Sequence, residues 1–290
     1  MAVDLHIHST ASDGTLTPAQ VVSAASDAGL SAIAVTDHDT VAGVEEAVAA
    51  GFELGLDVFP ALEIGAYHSG KEVHILGYLV DVQDSDLLRL LSHIRDSRRE
   101  RADRIVDRLH AVGVPLSLDD VLEKCHGDSL GRPHVAAAMV ARGFVPHAQA
   151  AFERYLRRGR PAYVPRFRPP ANETIDLILS AGGVPVIAHP GIGNAISTVN
   201  SLTEAGLVGL EAYHVDHTQA KTQRLLTIAA ALHLIVTGGS DSHGPGGPKP
   251  VAVGQVPVPD DCAEAIREWG RANGRWPLPA AAPATRAATK

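Results

Sequence analysis

Cysteine is nearly absent: the 290-residue chain has two, Cys125 and Cys262, far apart and in no paired-Cys motif. A disulfide framework and a zinc knuckle are thereby excluded, and both side chains read as ordinary thiols. No apolar run approaches the roughly 18 residues a membrane span needs. No basic segment leads from the first residues into a long apolar stretch, so a cytoplasmic protein without membrane contact is expected. Internal repeats are missing as well. Gly238-Gly239 lacks the lysine of a phosphate loop, Ser240 lacks the strand-to-helix elbow of a hydrolase, and no zincin spacing occurs. What is there is apolar material, 45% of residues, enough for one large α/β barrel or two smaller domains.

Net charge is −8, which argues against a general nucleic-acid-binding surface. The charge is uneven, however. Residues 89–168 carry sixteen Lys+Arg against nine Asp+Glu, and the remainder is strongly acidic. An acidic, His-rich module suggests carboxylates gathered for cations, and a basic one suggests contact with an anion. Arg98, Arg99, Arg101, Arg104 and Arg108, interleaved with Glu100, Asp103 and Asp107, read mostly as the wet face of a helix.

Short β-branched or apolar runs recur at Val3 to His8, Ala32 to Thr36, Val58 to Leu62, Val73 to Val80, Val184 to His189, Leu207 to Tyr213 and Leu234 to Gly238. Helical patterns lie between them at Pro18 to Ala28, Val41 to Leu54, Asn172 to Ser180 and Gln219 to Leu232, with Thr17 and Pro18 giving a cap and first-turn signal. This alternation predicts an α/β fold with a mainly parallel sheet, closed as a distorted (β/α)7 barrel, with a doubly wound sheet as the alternative. The spacing breaks after Val80, where an Arg-rich helical stretch intervenes. The expected organisation is a discontinuous barrel (1–88 and 169–276), an inserted basic helical cap (89–168) and a frayed tail (277–290).

Nearly every strand candidate of the acidic module carries or ends in a metal-binding side chain. His6 and His8, two apart on one strand, point the same way and can share an ion. Asp13 follows in the loop, Asp37 and His38 close the second strand, Glu63 the third, His74 lies on the fourth, His189 closes the fifth, and Asp241 and His243 follow the last. Burying six imidazoles and three carboxylates at one barrel mouth without cations would cost several kcal/mol per group. Nitrogen and oxygen donors without thiolate suit divalent Mn first, with Fe, Zn or Mg as alternatives. Nine ligands would serve three ions and leave positions open for water and phosphate oxygens.

Taken together, His6-Ile7-His8, Thr36-Asp37-His38-Asp39, Ala188-His189-Pro190 and Gly238-Gly239-Ser240-Asp241-Ser242-His243 resemble the successive motifs of the PHP (polymerase and histidinol phosphatase) family. The basic insert and Gly131-Arg132-Pro133-His134 resemble its small-phosphoesterase branch, which acts on nucleoside 3′,5′-bisphosphates and short RNA. The resemblance implies a seven-stranded distorted barrel with a trinuclear metal site held by His6, His8, Asp13, His38, Glu63, His74, His189, Asp241 and His243. It implies that Asp37 orients a ligand or the nucleophilic water.

Arg132 and His134 flank the first turn of a helix, where free N–H groups and a guanidinium can grip phosphate and stabilise its charge. Arg158, Arg160 and Arg168 are less defined candidates for the same work. His217 is expected to shape the substrate pocket or to start the following helix, His214 ranks below the nine ligands, Glu211 reads as an acid that lines the barrel or supports a ligand from behind, and a metal-bound water or His243 is the candidate proton donor to the leaving group. His68, His93, His110, His126, His147 and His233 read as structural or surface. The expected activity is metal-dependent hydrolysis of a phosphomonoester on a small phosphorylated nucleotide, or trimming of short 5′-phosphorylated RNA, with no obligate protein partner. A histidinol-phosphate-type phosphatase and a non-catalytic nucleotide-sensing metal protein are the alternatives.

Overall fold

A computed structural model describes residues 2–125, 130–192, 195–247 and 251–276. The tail 277–290 and His126 lie outside the described residues.

The strands are β1 (Ala2–Ile7), β2 (Leu30–Val35), β3 (Asp57–His68), β4 (Lys71–Tyr78), β5 (Val184–Ile187), β6 (Gly209–His214), β7 (Ile235–Gly239) and β8 (Val258–Pro259). They form one sheet in the order β7-β6-β5-β4-β3-β2-β1-β8. The two ends meet. Asp241 N donates to His6 O at 2.9 Å and His8 N to Ser242 O at 2.9 Å, so the segment after β7 hydrogen-bonds β1 and nearly closes the barrel. Inside it the Tyr78 hydroxyl donates to Leu5 O at 2.9 Å, tying β4 to β1 across the core.

Two features depart from a mainly parallel seven-stranded sheet. β4 runs antiparallel to both β3 and β5, and the two-residue β8 adds an antiparallel partner for the start of β1. The β3–β4 hairpin follows from Ser69 and Gly70, whose φ values of 47° and 81° give the left-handed two-residue turn that suits antiparallel strands. With that turn, β3 continues past Leu62 to His68.

The helices are α1 (Pro18–Asp27), α2 (Val44–Leu54), α3 (Ser85–His110), α4 (Leu118–Leu122), α5 (Arg132–Ala141), α6 (Ala148–Ala151), α7 (Ala171–Ser180), α8 (Val199–Glu204), α9 (Gln219–Leu232) and α10 (Asp261–Ala272). Thr17 and Gln20 form a reciprocal capping box at α1, with Pro18 in its first turn, a device that stabilises a helix start by about 1 kcal/mol. The 26-residue α3 joins two cores. Leu87, Leu91 and Ile94 pack with Ile64, Ile175 and Ile178 of the barrel layer, whereas Ile105, Val106 and Leu109 pack with Val121, Val135 and Met139 among α4 and α5. The step from residue 88 to 89 therefore falls within a continuous helix.

Candidate metal centre

Two strand irregularities aim the site's side chains. On β1 the register with β2 shifts between Asp4 and Ile7. Leu5 packs inside the barrel with Tyr78, while Ile7 packs outward against Val21 and Val22 of α1. The bulge places Leu5 and His6 in succession toward the interior, and the following alternation brings His8 there too. On β6 the register with β7 shifts between Glu211 and Tyr213. Glu211 and His214, three apart, thereby share the inner face that strict alternation would deny one of them.

The predicted ligands converge. Among the described residues, donor atoms of His8, Asp13, His38 and His243, of His6, His8 and Asp241, and of His38, Glu63 and His74 form three groups, each within 4.8 Å of one another. His189 joins through Glu63, its Nε2 3.2 Å from Oε1. His6, His8 and Glu63 make a wholly buried floor, while His38, His74, His189 and Asp13 are partly open and form the rim. His189 and Asp241 adopt positive φ, 31° and 52°, a conformation costing of order 1 kcal/mol or more for non-glycine residues. The fold holds them there: His189 N donates to Glu211 Oε2 at 2.6 Å, and Asp241 N is fixed on β1.

The chemistry of these contacts fits divalent metal ions. His6 Nε2 faces His8 Nε2 at 3.2 Å, two ring nitrogens converging in a buried place. Glu63 Oε2 lies 2.8 Å from His38 Nδ1 and 3.5 Å from the Nε2 atoms of His6 and His8. It nevertheless has no aligned hydrogen-bond donor. Buried donor sets that point at one another without pairing are what a cation satisfies.

The protonation preferences agree. Burial works against charge on His6 and His74, yet Glu211 and Glu63 push His6 well above the usual histidine value, and Glu63 brings His74 up to about 9. Burial also opposes ionisation of Glu63 and Asp241, but Glu63 is held well below the usual carboxylate range by His38 and His74, and Asp241 by His214 and His8. His8 and His189 are pulled down, chiefly by burial. Positive charge is demanded at the floor, and a metal ion supplies it in place of protons.

The remaining candidates occupy several different places. Both oxygens of Asp37 are taken by the 9–12 loop: Ser9 N and Ser12 Oγ donate to Oδ1 at 2.8 and 2.5 Å, and Ser9 Oγ to Oδ2 at 2.6 Å. Asp37 thus braces the loop that carries Asp13. Arg132 donates from Nη1 to Leu156 O at 3.1 Å and lies over the rings of Phe152 and Tyr163. His134 Nδ1 accepts from Gly131 N at 3.0 Å, closing the first turn of α5. His217 sits behind His189, Nδ1 donating to Ala212 O at 2.9 Å and Nε2 accepting from Gly191 N at 3.2 Å. His243 Nδ1 donates to Asp241 O at 2.9 Å, which leaves Nε2 facing Asp13 at 3.4 Å.

Four further residues take places that the sequence left open or misread. Glu211, open between two readings, both lines the barrel and stands behind His6, its Oε1 accepting from His6 Nδ1 at 3.0 Å. His214, buried at the end of β6, lies 3.4 Å from Asp241 through Nε2. Arg98 and Arg101 are not on a wet face: both are buried, Arg98 ion-paired with Asp39 and Arg101 donating to Val164 O at 2.9 Å. Asp39 also pairs with Arg166, and Arg168 pairs with Glu72. Arg158 and Arg160 are exposed.

The PHP domain family matches residues 4–160. A 5′-3′ exoribonuclease of Haemophilus influenzae is 34% identical over 84% of this chain and 90% of its own length. A 3′,5′-nucleoside bisphosphate phosphatase of Chromobacterium violaceum is 32% identical, covering 84% of this chain and 88% of that protein. The solved structure of a protein from Bifidobacterium adolescentis, described as a metal-dependent phosphoesterase, superposes with a TM-score of 0.80 at 35% identity, over 92% of this chain and 96% of that one. Among the described residues, no helix is long and apolar enough to cross a membrane. With its converging set of candidate metal ligands, this chain belongs to the PHP domain family and is a hydrolase of phosphoester bonds.

Proposed function

We propose that the chain hydrolyses a phosphomonoester of a small nucleotide bearing two phosphates, a nucleoside 3′,5′-bisphosphate foremost, and trims short 5′-phosphorylated RNA. A cytoplasmic setting belongs to the same reading. The observation that supports it is a cluster of arginines beside the histidine bowl, where Arg98 and Arg166 share Asp39, the neighbour of His38. Arg101 on α3 donates to Val164 O at 2.9 Å, two residues before Arg166, and burial together with the nearby guanidiniums of Arg132, Arg166 and Arg168 pulls it down to about 10. Arg98 lies in the same cluster through its shared partner Asp39. The carboxylates paired with these five are Asp39 and Glu72, and Nε of Arg98, Arg166 and Arg168 is buried without a hydrogen-bond partner. An excess of buried guanidinium charge favours a dianionic group.

In this reading residues 89–168 act as a cap, and Arg132 contributes through the cluster's field. His134 completes the helix start, and His217 supports the rim behind His189. Three divalent ions, manganese foremost, with iron, zinc or magnesium as alternatives, would lend Lewis acidity and activate water at neutral pH. Glu211 orients His6, and Asp37 braces the Asp13 loop. His243 has one nitrogen toward the bowl, so ligation and proton donation compete for the same atom. Ligation takes that nitrogen, and the ribose oxygen takes its proton from water.

The test compares kcat/KM for adenosine 3′,5′-bisphosphate, adenosine 3′-monophosphate and histidinol phosphate after reconstitution with Mn²⁺. The bisphosphate is expected to exceed the monophosphate by about tenfold or more, the equivalent of about 1.4 kcal/mol. Equal values would remove the second-phosphate subsite. Binding without phosphate release, in a protein whose metal content is complete, would favour a sensor.

A further inference from the structure

The metal-centre reading leaves one wholly buried imidazole of the bowl without a role. His214 ends β6, its side chain fully enclosed, with ring centroids 5.3 Å from His189 and 6.2 Å from His6. Position alone would make it a tenth ligand. Its hydrogen bonds exclude that.

His214 Nδ1 accepts from the backbone N–H of Asp216 at 3.1 Å. A ring nitrogen that accepts carries no hydrogen, so the hydrogen of the neutral ring sits on Nε2. The neighbours are wired in the opposite sense. His6 Nδ1 faces a carboxylate oxygen of Glu211, His243 Nδ1 the carbonyl of Asp241, and His217 Nδ1 the carbonyl of Ala212. In each of those rings Nδ1 must donate, and Nε2 keeps its lone pair. In His214 Nε2 is a donor and has no lone pair to offer a cation.

What Nε2–H faces is Asp241. The two oxygens of that carboxylate are divided between two sides of the bowl. Oδ1 lies 3.1 Å from His8 Nε2 and 3.7 Å from His6 Nε2, among the ligands. Oδ2 lies 3.4 Å from His214 Nε2. That separation is long for a hydrogen bond, and Nε2 has no aligned partner among the described residues. A small rotation of the carboxylate closes it. We propose that His214 is a positioning residue that donates from Nε2 to Asp241 Oδ2 and so presents Oδ1 alone to the metal ions. Held by that contact, Oδ2 stays out of the ligand set, and the carboxylate offers one oxygen where it could otherwise chelate with both.

The inference rests on the metal-centre reading, and its test separates the two. Apo protein is titrated with Mn²⁺ against a chelating indicator for wild type, D241A, H214F, H214Q and D241A/H214F. Circular dichroism of each apo variant checks folding. D241A is expected to lose tight binding of one ion. H214F, which keeps the ring's bulk without the donor, should weaken that ion about 10- to 100-fold, and H214Q should recover to within about threefold of wild type. In the D241A background H214F should add nothing. Wild-type affinity in H214F, failure of H214Q to rescue, or multiplying effects in the double variant would each overturn the positioning role. Full metal binding by D241A would overturn the metal-centre reading itself, and this inference with it. A measurement on the unmutated protein stands apart from folding of the variants: long-range ¹H–¹⁵N correlation spectra of the Zn²⁺-loaded chain should show His214 as the Nε2–H tautomer. The Nδ1–H tautomer would overturn the proposal.

Discussion

Glu211 Oε1 accepts from His6 Nδ1 at 3.0 Å, and both side chains are fully buried. The contact sets the ring's tautomer and turns Nε2 into the bowl, while the other Glu211 oxygen holds His189 N at 2.6 Å. One carboxylate therefore orients candidate ligands from β1 and from the segment after β5. Removing it in Glu211→Ala should weaken metal binding by about 10- to 100-fold, with a matching loss of phosphatase activity at limiting Mn²⁺. Glu211→Gln, which retains one acceptor, should lose less. Chelator competition measures both, and an unchanged affinity in the alanine variant would contradict the assignment.

Asp39, just after β2, ties α3 and the segment carrying Arg166 to β3. Its Oδ2 accepts from Arg98 and Arg166, and its Oδ1 accepts from Gly65 N at 3.1 Å. The Asp39 and Arg98 side chains are 4% and 7% exposed, so substituting Asp39→Asn strands the buried guanidinium of Arg98 and the half-buried one of Arg166. The expected loss of stability is about 3–5 kcal/mol, read from urea denaturation of the apo protein. A loss near that of an exposed ion pair, about 1 kcal/mol or less, would show that the arginines find other partners.

These two residues also mark where sequence reasoning reaches its limit. The nine ligand candidates were legible because donor side chains at strand ends announce themselves by type and position. His6 and His8 share a face by simple alternation. Glu211 and His214 share one only because β6 bulges between them, and a bulge leaves no trace in the alternation of their neighbours. Arg98 and Arg101 sit in a charge-interleaved run typical of an exposed helix, and what buries them is the returning 164–168 segment, a tertiary contact. The β3–β4 hairpin turns at Ser69-Gly70, and the strand read as ending at Leu62 runs on to His68, where Glu63 and Gly65 interrupt the apolar pattern that leads to the turn.

Proton and metal compete at the bowl, and the sign can be worked out. Against the effect of burial, Glu63 and Glu72 raise His74 to about 9 in the metal-free protein. A raised histidine contributes stability that is fully present below its unfolded value of about 6.5 and is lost as pH climbs through about 9. His6, also raised, adds in the same direction. Metal binding needs both rings deprotonated, so affinity moves the other way. Between about pH 6.5 and about 9 the apo melting temperature should fall while the increment produced by Mn²⁺ grows. Scanning calorimetry with and without the ion tests this, and an increment that stays flat across the range would count against histidine ligation.

Barrel closure depends on a residue with no side chain. A Cβ on Gly239, at the end of β7, would stand 2.3 Å from His6 Cβ, 2.5 Å from His6 N and 2.8 Å from its Cα. Most of these atoms are backbone, so no rotamer change relieves the clash, and β1 must move away from β7. That movement would pull His6 and His8 from Asp241 and stretch the bond from Asp241 N to His6 O. Gly65 offers the contrast, since its nearest neighbour is the end of the Arg166 side chain at 3.2 Å, which can shift. Gly239→Ala should therefore cost at least the 1–3 kcal/mol typical of overpacking, or about that and more, and should lower metal stoichiometry, whereas Gly65→Ala should leave the stoichiometry intact. Equilibrium dialysis followed by elemental analysis distinguishes them. A Gly239→Ala protein with full metal content would mean that β1 and β7 can separate without disturbing the ligands, and that closure of the barrel does not hold the metal centre together.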